Sequence, residues 1–90
     1  MRTIYLVWHV IGRGPVEADD CYDLEYENYL ERAFDSEEKA ISYMEQRANG
    51  QRVDKDGLVV IEETTSLHGA HGEELYKVID YLSYGTIELE

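Results

Sequence analysis

The segment Arg2-Thr-Ile-Tyr-Leu-Val-Trp-His-Val-Ile11 limits the fold more than any other, because it is dense in β-branched and aromatic residues and apolar on both faces of an extended chain. Alternation puts Ile4, Leu6, Trp8 and Val10 on one side and Tyr5, Val7 and Ile11 on the other. A strand with two apolar sides has to be covered on both or paired in the middle of a sheet, so this is expected to be the first and central strand. Gly12-Arg13-Gly14-Pro15 reads as the turn that ends it, since a central strand does not continue through such a run. His9 falls on the second side, where it reads as a satisfied core or edge residue rather than a ligand or base. The longest apolar run, Ile4 to Ile11, is interrupted by His9 and is far too short to span a bilayer.

The next stretch, Val16 to Glu38, carries the charge. Ten of the chain's twenty carboxylates lie in it (Glu17, Asp19, Asp20, Asp23, Glu25, Glu27, Glu31, Asp35, Glu37 and Glu38), against one cation, Arg32. As a strand it would turn Glu17, Asp19, Asp23, Glu25, Glu27 and Glu31 one way and Tyr22, Leu24, Tyr26, Leu30 and Phe34 the other. As a helix it would bury Tyr22, Tyr26, Tyr29, Leu30 and Ala33 and expose Asp20, Asp23, Glu27 and Glu31. Residues 22–34 are open to either conformation. A strand over Tyr26 to Phe34 is preferred, because a helix reaching Ala33 would leave almost no connection before the next element. Both conformations separate acids from aromatics.

Asp35-Ser36-Glu37-Glu38 opens a helix: Asp35 or Ser36 caps its free N–H groups, and Glu37 and Glu38 oppose the positive end of its dipole. Ala40, Ile41, Met44 and Ala48 form its apolar stripe, Arg47 lies near the negative end and Asn49-Gly50 stops it. Asp54-Lys55-Asp56-Gly57 is a turn before the branched run Leu58 to Thr65, a further strand. Leu67 to Gly72 reads as a flexible loop. In residues 73–82 the choice between helix and strand is open. Leu75, Val78, Ile79 and Leu82 share one narrow helical face, which favours a second helix ended by Gly85, with Thr86 to Glu90 adding a short edge strand. The expected fold is α+β: one small domain over residues 1–90, with a mixed or antiparallel sheet of three to four strands and one to two helices packed on it.

No motif points to catalysis. Paired carboxylates are plentiful enough to form a dyad by chance, and no nucleophile elbow or phosphate loop accompanies them; Gly12-Arg13-Gly14 is not one. Asp19, Asp20 and Asp23 lack the spacing and glycine of a calcium loop. His68 and His71 form H-x-x-H, but with only Cys21 and His9 to add, they do not make a zinc site. No metal or cofactor is expected. One cysteine permits no intramolecular disulfide and fits a reducing cytoplasm. A net charge of -12 repels nucleic acid and anionic membrane and attracts basic protein surfaces.

A first strand ending in Trp8-His9, a tyrosine and acid stretch, and then Phe34-Asp-Ser-Glu-Glu-Lys-Ala40 opening a helix resemble small phage and bacterial proteins with a β-β-α-β arrangement. The resemblance covers roughly half the chain and carries no active-site motif. A tiny, acidic, cysteine-poor chain is also similar in type to the inhibitors with which phages block nucleic-acid enzymes, including anti-CRISPR and anti-restriction proteins. That similarity implies a protein of the host-cell cytoplasm that occupies the DNA or RNA channel of a basic nucleic-acid-binding host protein, a CRISPR effector first and a restriction enzyme second. Alternate residues of a strand lie about 6.6 Å apart, so Asp23, Glu25 and Glu27 would form a regular row of negative charge. Lys and Arg that hold phosphates accept such carboxylates. The expected partner-binding residues are Asp19, Asp20, Asp23, Glu25, Glu27, Tyr29 and Glu31. Tyr22 and Tyr26 are expected in the core, and Tyr29, on the acid side, at the interface.

The alternative is a non-catalytic protein–protein interaction module, with a symmetric homodimer as one form. The readings predict different surfaces. A mimic needs a continuous exposed acidic patch, a module an exposed apolar or tyrosine patch, and an enzyme a pocket around a desolvated carboxylate or histidine.

Overall fold

The first strand does lie inside the sheet, but it is longer than its sequence suggests. The computed structural model describes residues 2–16, 24–68 and 74–90. In chain order these form β1 (Arg2–Val16), β2 (Glu25–Phe34), α1 (Glu37–Arg47), β3 (Leu58–His68) and β4 (Glu74–Leu89). The strands make one antiparallel sheet in the order β2-β1-β4-β3. Glu17, Asp19, Asp20, Cys21, Tyr22, Asp23, His71 and Gly72 lie outside the described residues.

β1 runs straight through Gly12-Arg13-Gly14-Pro15, which is not a turn: Gly12 pairs with Ile79, Gly14 with Lys77 and Pro15 with Tyr76. A Cβ on Gly12 would come within 2.7 Å of the Tyr26 ring and 3.2 Å of Ile79, so the glycine makes room for a cross-strand ring. Beyond Arg13 the described pairing of β1 is with β4 alone.

The expected second helix is also a strand. β4 pairs with β1 from Val16↔Leu75 to Arg2↔Leu89, passes through Gly85, and includes the residues expected to form a separate edge strand. Being central, β4 is apolar on both sides: Val78, Leu82 and Tyr84 point one way, Leu75, Ile79 and Tyr81 the other. The helical spacing of Leu75, Val78, Ile79 and Leu82 comes from combining two strand faces. Leu67 and His68 likewise belong to β3, not to a loop.

β2 confirms the preferred strand over Tyr26 to Phe34, with one shift. Val7 pairs with Arg32 but Trp8 with Leu30, so Glu31 is an extra residue, a β-bulge. The bulge reverses the alternation after it. Phe34 faces the opposite side from Tyr26, not the same side. A second bulge at Ile61 interrupts β3, between Val60↔Tyr81 and Glu62↔Asp80.

α1 forms with the predicted caps and buries three of the four residues of its expected stripe, Ile41 lying outside the core. The Ser36 side chain accepts from the Lys39 N–H at 3.3 Å, and Asn49 (φ 56°) and Gly50 (φ 91°) turn the chain out of the helix in left-handed conformations. Ala40, Met44 and Ala48 are buried against Val7, Val59 and Leu82, with Tyr5, Phe34, Tyr43, Val53, Ile61 and Tyr84 around them. The turn at Asp54 also forms as predicted: Asp54 Oδ1 accepts from the N–H groups of Asp56 and Leu58 at 2.9 and 3.0 Å, and Gly57 has φ 79°.

This core is small for the sheet it serves. Eleven helical residues extend roughly 16 Å, whereas fifteen residues of β1 extend roughly 50 Å. The radius of gyration is 16.0 Å, against about 12 Å expected for a compact chain of this length. α1 therefore covers one end of one side. Below, that side is the helix side and the other is the open side.

Candidate functional site

Register assigns the paired strand residues to a side, because directly opposed residues project the same way. On the helix side lie Tyr5, Val7, His9, Ile11 and Arg13 of β1, with their partners in β2 and β4. On the open side lie Ile4, Leu6, Trp8, Val10 and Gly12, with Leu30, Asn28 and Tyr26 from β2 and Ser83, Tyr81 and Ile79 from β4.

The strand carboxylates do not divide evenly. Glu25, Glu27, Glu31, Glu62, Asp80 and Glu88 are on the helix side. The open side has Glu63, which is paired with Lys77.

On the helix side, just beyond the end of α1, polar groups form one connected network. His9 Nε2 and Asp80 Oδ1 are 3.0 Å apart, and His9 Nδ1 lies 3.9 Å from Glu31 Oε1. Arg47, at the C-terminal turn of α1, donates to both Glu31 oxygens at 2.8 and 3.1 Å, and the Tyr43 hydroxyl donates to Glu31 at 2.8 Å. The Arg47 guanidinium holds the Glu31 carboxyl below the usual glutamate range, with Tyr43 assisting against the cost of desolvation. Glu31 in turn raises the pKa of Arg47. Burial, and then the hydrogen bond from its hydroxyl to the Glu31 carboxylate, push Tyr43 up. The bulge makes this possible by placing Glu31 beside the helix.

The residues expected to bind a partner therefore separate. Glu25 and Glu27 are exposed, and Tyr29, half exposed, donates to Glu27 at 2.7 Å, a contact that raises its own pKa. Glu31 is engaged internally by Arg47 and Tyr43, so it is not a free member of the acidic row. Asp19, Asp20 and Asp23 fall outside the described residues, and the continuity of the row past Glu25 is not described. Tyr26 is 54 % exposed on the open side, so it is not a core residue.

What sequence reading missed is the open side itself. Among the described residues eight large hydrophobic side chains are exposed: Tyr26, Tyr29, Leu30, Val60, Leu67, Leu75, Ile87 and Leu89. All but Tyr29 lie on the open side. Between them sit half-buried Trp8, Ile79 and Tyr81, and Val10, which is 5 % exposed yet separate from the core beneath α1. Leu58, Val60, Ile79, Tyr81 and Asp54 outline a shallow depression of about 200 Å³ in this surface. The available signal was the apolar set Ile4, Leu6, Trp8 and Val10, which needed cover that no second helix among the described residues supplies.

Among the described residues no three His, Cys, Asp or Glu side chains are gathered to hold a metal ion, and no helix is long and apolar enough to cross a membrane. No protein family matches the chain, and neither a curated protein nor a solved structure does.

Proposed function

We propose that this protein is a non-catalytic interaction module that engages another protein chain through the open side of its sheet. The observation that carries this reading is the placement of seven of the eight exposed large hydrophobic side chains on that one side. Scattered apolar residues are ordinary on a surface, but a contiguous apolar sheet face is the signature of an interface. Trp8, Tyr26 and Tyr81 supply the broad aromatic contacts that dominate such surfaces. The test is site-specific photocrosslinking in the source cell, from Leu30 and Val60 on the open side and from Glu62 and Glu88 on the helix side. Protein adducts should form from the open-side positions. Adducts from the helix-side positions alone would sink the reading.

A second reading is favoured by exposed Glu25 and Glu27 with Tyr29 beside them. In it the acidic side occupies the basic channel of a nucleic-acid-binding host protein, a CRISPR effector or a restriction enzyme, in the host cytoplasm. Its test is competition: the wild-type chain should displace DNA or RNA from such a protein, and the variant Glu25→Lys/Glu27→Lys should not. Displacement should also weaken with salt, as the Debye length shortens from about 10 Å at 0.1 M to about 3 Å at 1 M. Undiminished inhibition by the folded variant would exclude these acids.

A further inference from the structure

We infer that the occupant of the open side is a second copy of this chain, packed face to face about a two-fold axis. This rests on the reading of that side as an interface and adds the identity of the partner. Three observations favour the same chain over a different one.

The first is area. The open side is three to four strands wide, roughly 15 to 19 Å, and β1 and β4 carry it over roughly 40 Å, which makes a projected area on the order of 600 to 760 Å². Stable complexes bury about 800 Å² of accessible surface per partner, and side-chain relief raises a projected area toward that value. Two such sheets stacked about 10 Å apart would form an ordinary β-sandwich core.

The second is charge. A chain of net charge -12 should resist self-association. Here the described strand carboxylates on the helix side would point outward from both copies, and among the described residues the open side carries the paired Glu63 and Lys77 and the opposite charges of Arg2 and Asp54, which leaves it close to neutral. Over the described residues of this surface a second copy meets no net repulsion. A basic partner, which the overall charge would recruit, has no carboxylate row to meet there.

The third concerns the edges. β2 and β3 are the outer strands, and each carries a bulge, at Glu31 and at Ile61. Bulges spoil an edge as a template for another strand, so association edge to edge is disfavoured and the face is left.

Trp8 is the chain's one tryptophan and lies within the proposed contact, which makes it a direct reporter. The experiment is sedimentation of the full chain across micromolar concentrations, with Trp8 emission and acrylamide quenching followed in the same samples. A dimer should form with concentration, with Trp8 becoming blue-shifted and protected. The variant Leu30→Lys/Val60→Lys alters two exposed side chains and should keep the wild-type far-UV spectrum while weakening the dimer at least tenfold. Raising salt should tighten the dimer, because it screens the repulsion of the outward acids. A dimer unaffected by Leu30→Lys/Val60→Lys, or one that leaves Trp8 quenchable, would place the contact elsewhere and overturn the inference. A chain monomeric at all concentrations would also overturn it. In that case an apolar dye separates the two claims: dye bound by the wild type and lost in the variant leaves an interface for a different partner, whereas no dye binding removes the interaction reading as well.

Discussion

The two sides of this sheet are built from the same four strands yet are stabilised in opposite ways. Under α1, Val7, Val59 and Leu82 meet Ala40, Met44 and Ala48 with almost no exposed surface, and the polar groups at the margin of that contact are bonded to one another. On the open side, Leu30, Val60, Leu67, Leu75, Ile87 and Leu89, of equal hydrophobicity, remain exposed to water. Burial of an apolar side chain contributes about 1.5 to 3 kcal/mol, so the helix end holds the fold while the open side retains unspent association energy. Position relative to one short helix, not residue type, makes the difference.

The largest effect expected from this contrast is at Leu82, which is fully buried. Leu82→Ala should destabilise by about 2 to 5 kcal/mol in urea titrations, whereas Val60→Ala in the isolated monomer should cost under about 1 kcal/mol. Equal losses would show that the open side is already packed.

Next is the polar margin. Glu31→Gln leaves Arg47 and Tyr43 without their charged acceptor and should cost about 1 to 3 kcal/mol at neutral pH. The acid dependence follows from the lowered pKa of Glu31. A depressed folded-state value means that the stabilisation is complete above the ordinary glutamate value of about 4.5 and is lost as pH falls through the lowered one. Melting temperatures of the wild type should therefore fall toward those of Glu31→Gln as the solution is acidified. Parallel pH profiles for the two proteins would remove Glu31 from the ledger of folding.

A smaller effect is expected at Gly57, whose φ of 79° strains any other residue and whose added Cβ would lie 3.0 Å from the Tyr84 ring. Gly57→Ala should cost about 1 to 2 kcal/mol, measured by thermal unfolding, because it strains the turn into β3 at the helix end. The smallest is chelation. EDTA should leave the melting temperature unchanged, and a large drop would reveal a metal role for the histidines.

Much of this was legible in the sequence because it depends on near neighbours. The capped helix from Ser36 to Asn49 and the turn from Asp54 to Gly57 are set by residues within a turn or two of one another, whereas the strand through Tyr26 to Phe34 is preferred over a helix only because of the short connection that follows. The central place of Ile4 to Ile11 followed from its two apolar sides. The polar network was not legible, because His9 and Asp80 are 71 positions apart and only the β1–β4 register brings them together.

What tertiary structure alone decided was pairing. A central strand is apolar on both sides and loses its alternation, so Glu74 to Leu82 carried a helical spacing that β1 overruled. Gly12 to Pro15 had the chemistry of a turn, but Tyr26 needed the space above Gly12, and pairing with β4 carried the strand on through Pro15. The bulge at Glu31 inserted one residue into a period of two, which moved Phe34 to the helix side and left Tyr26 exposed on the other. Sequence determined which residues are apolar and which segments turn or cap. Register, a long-range quantity, determined which apolar residues α1 could cover and which it left exposed.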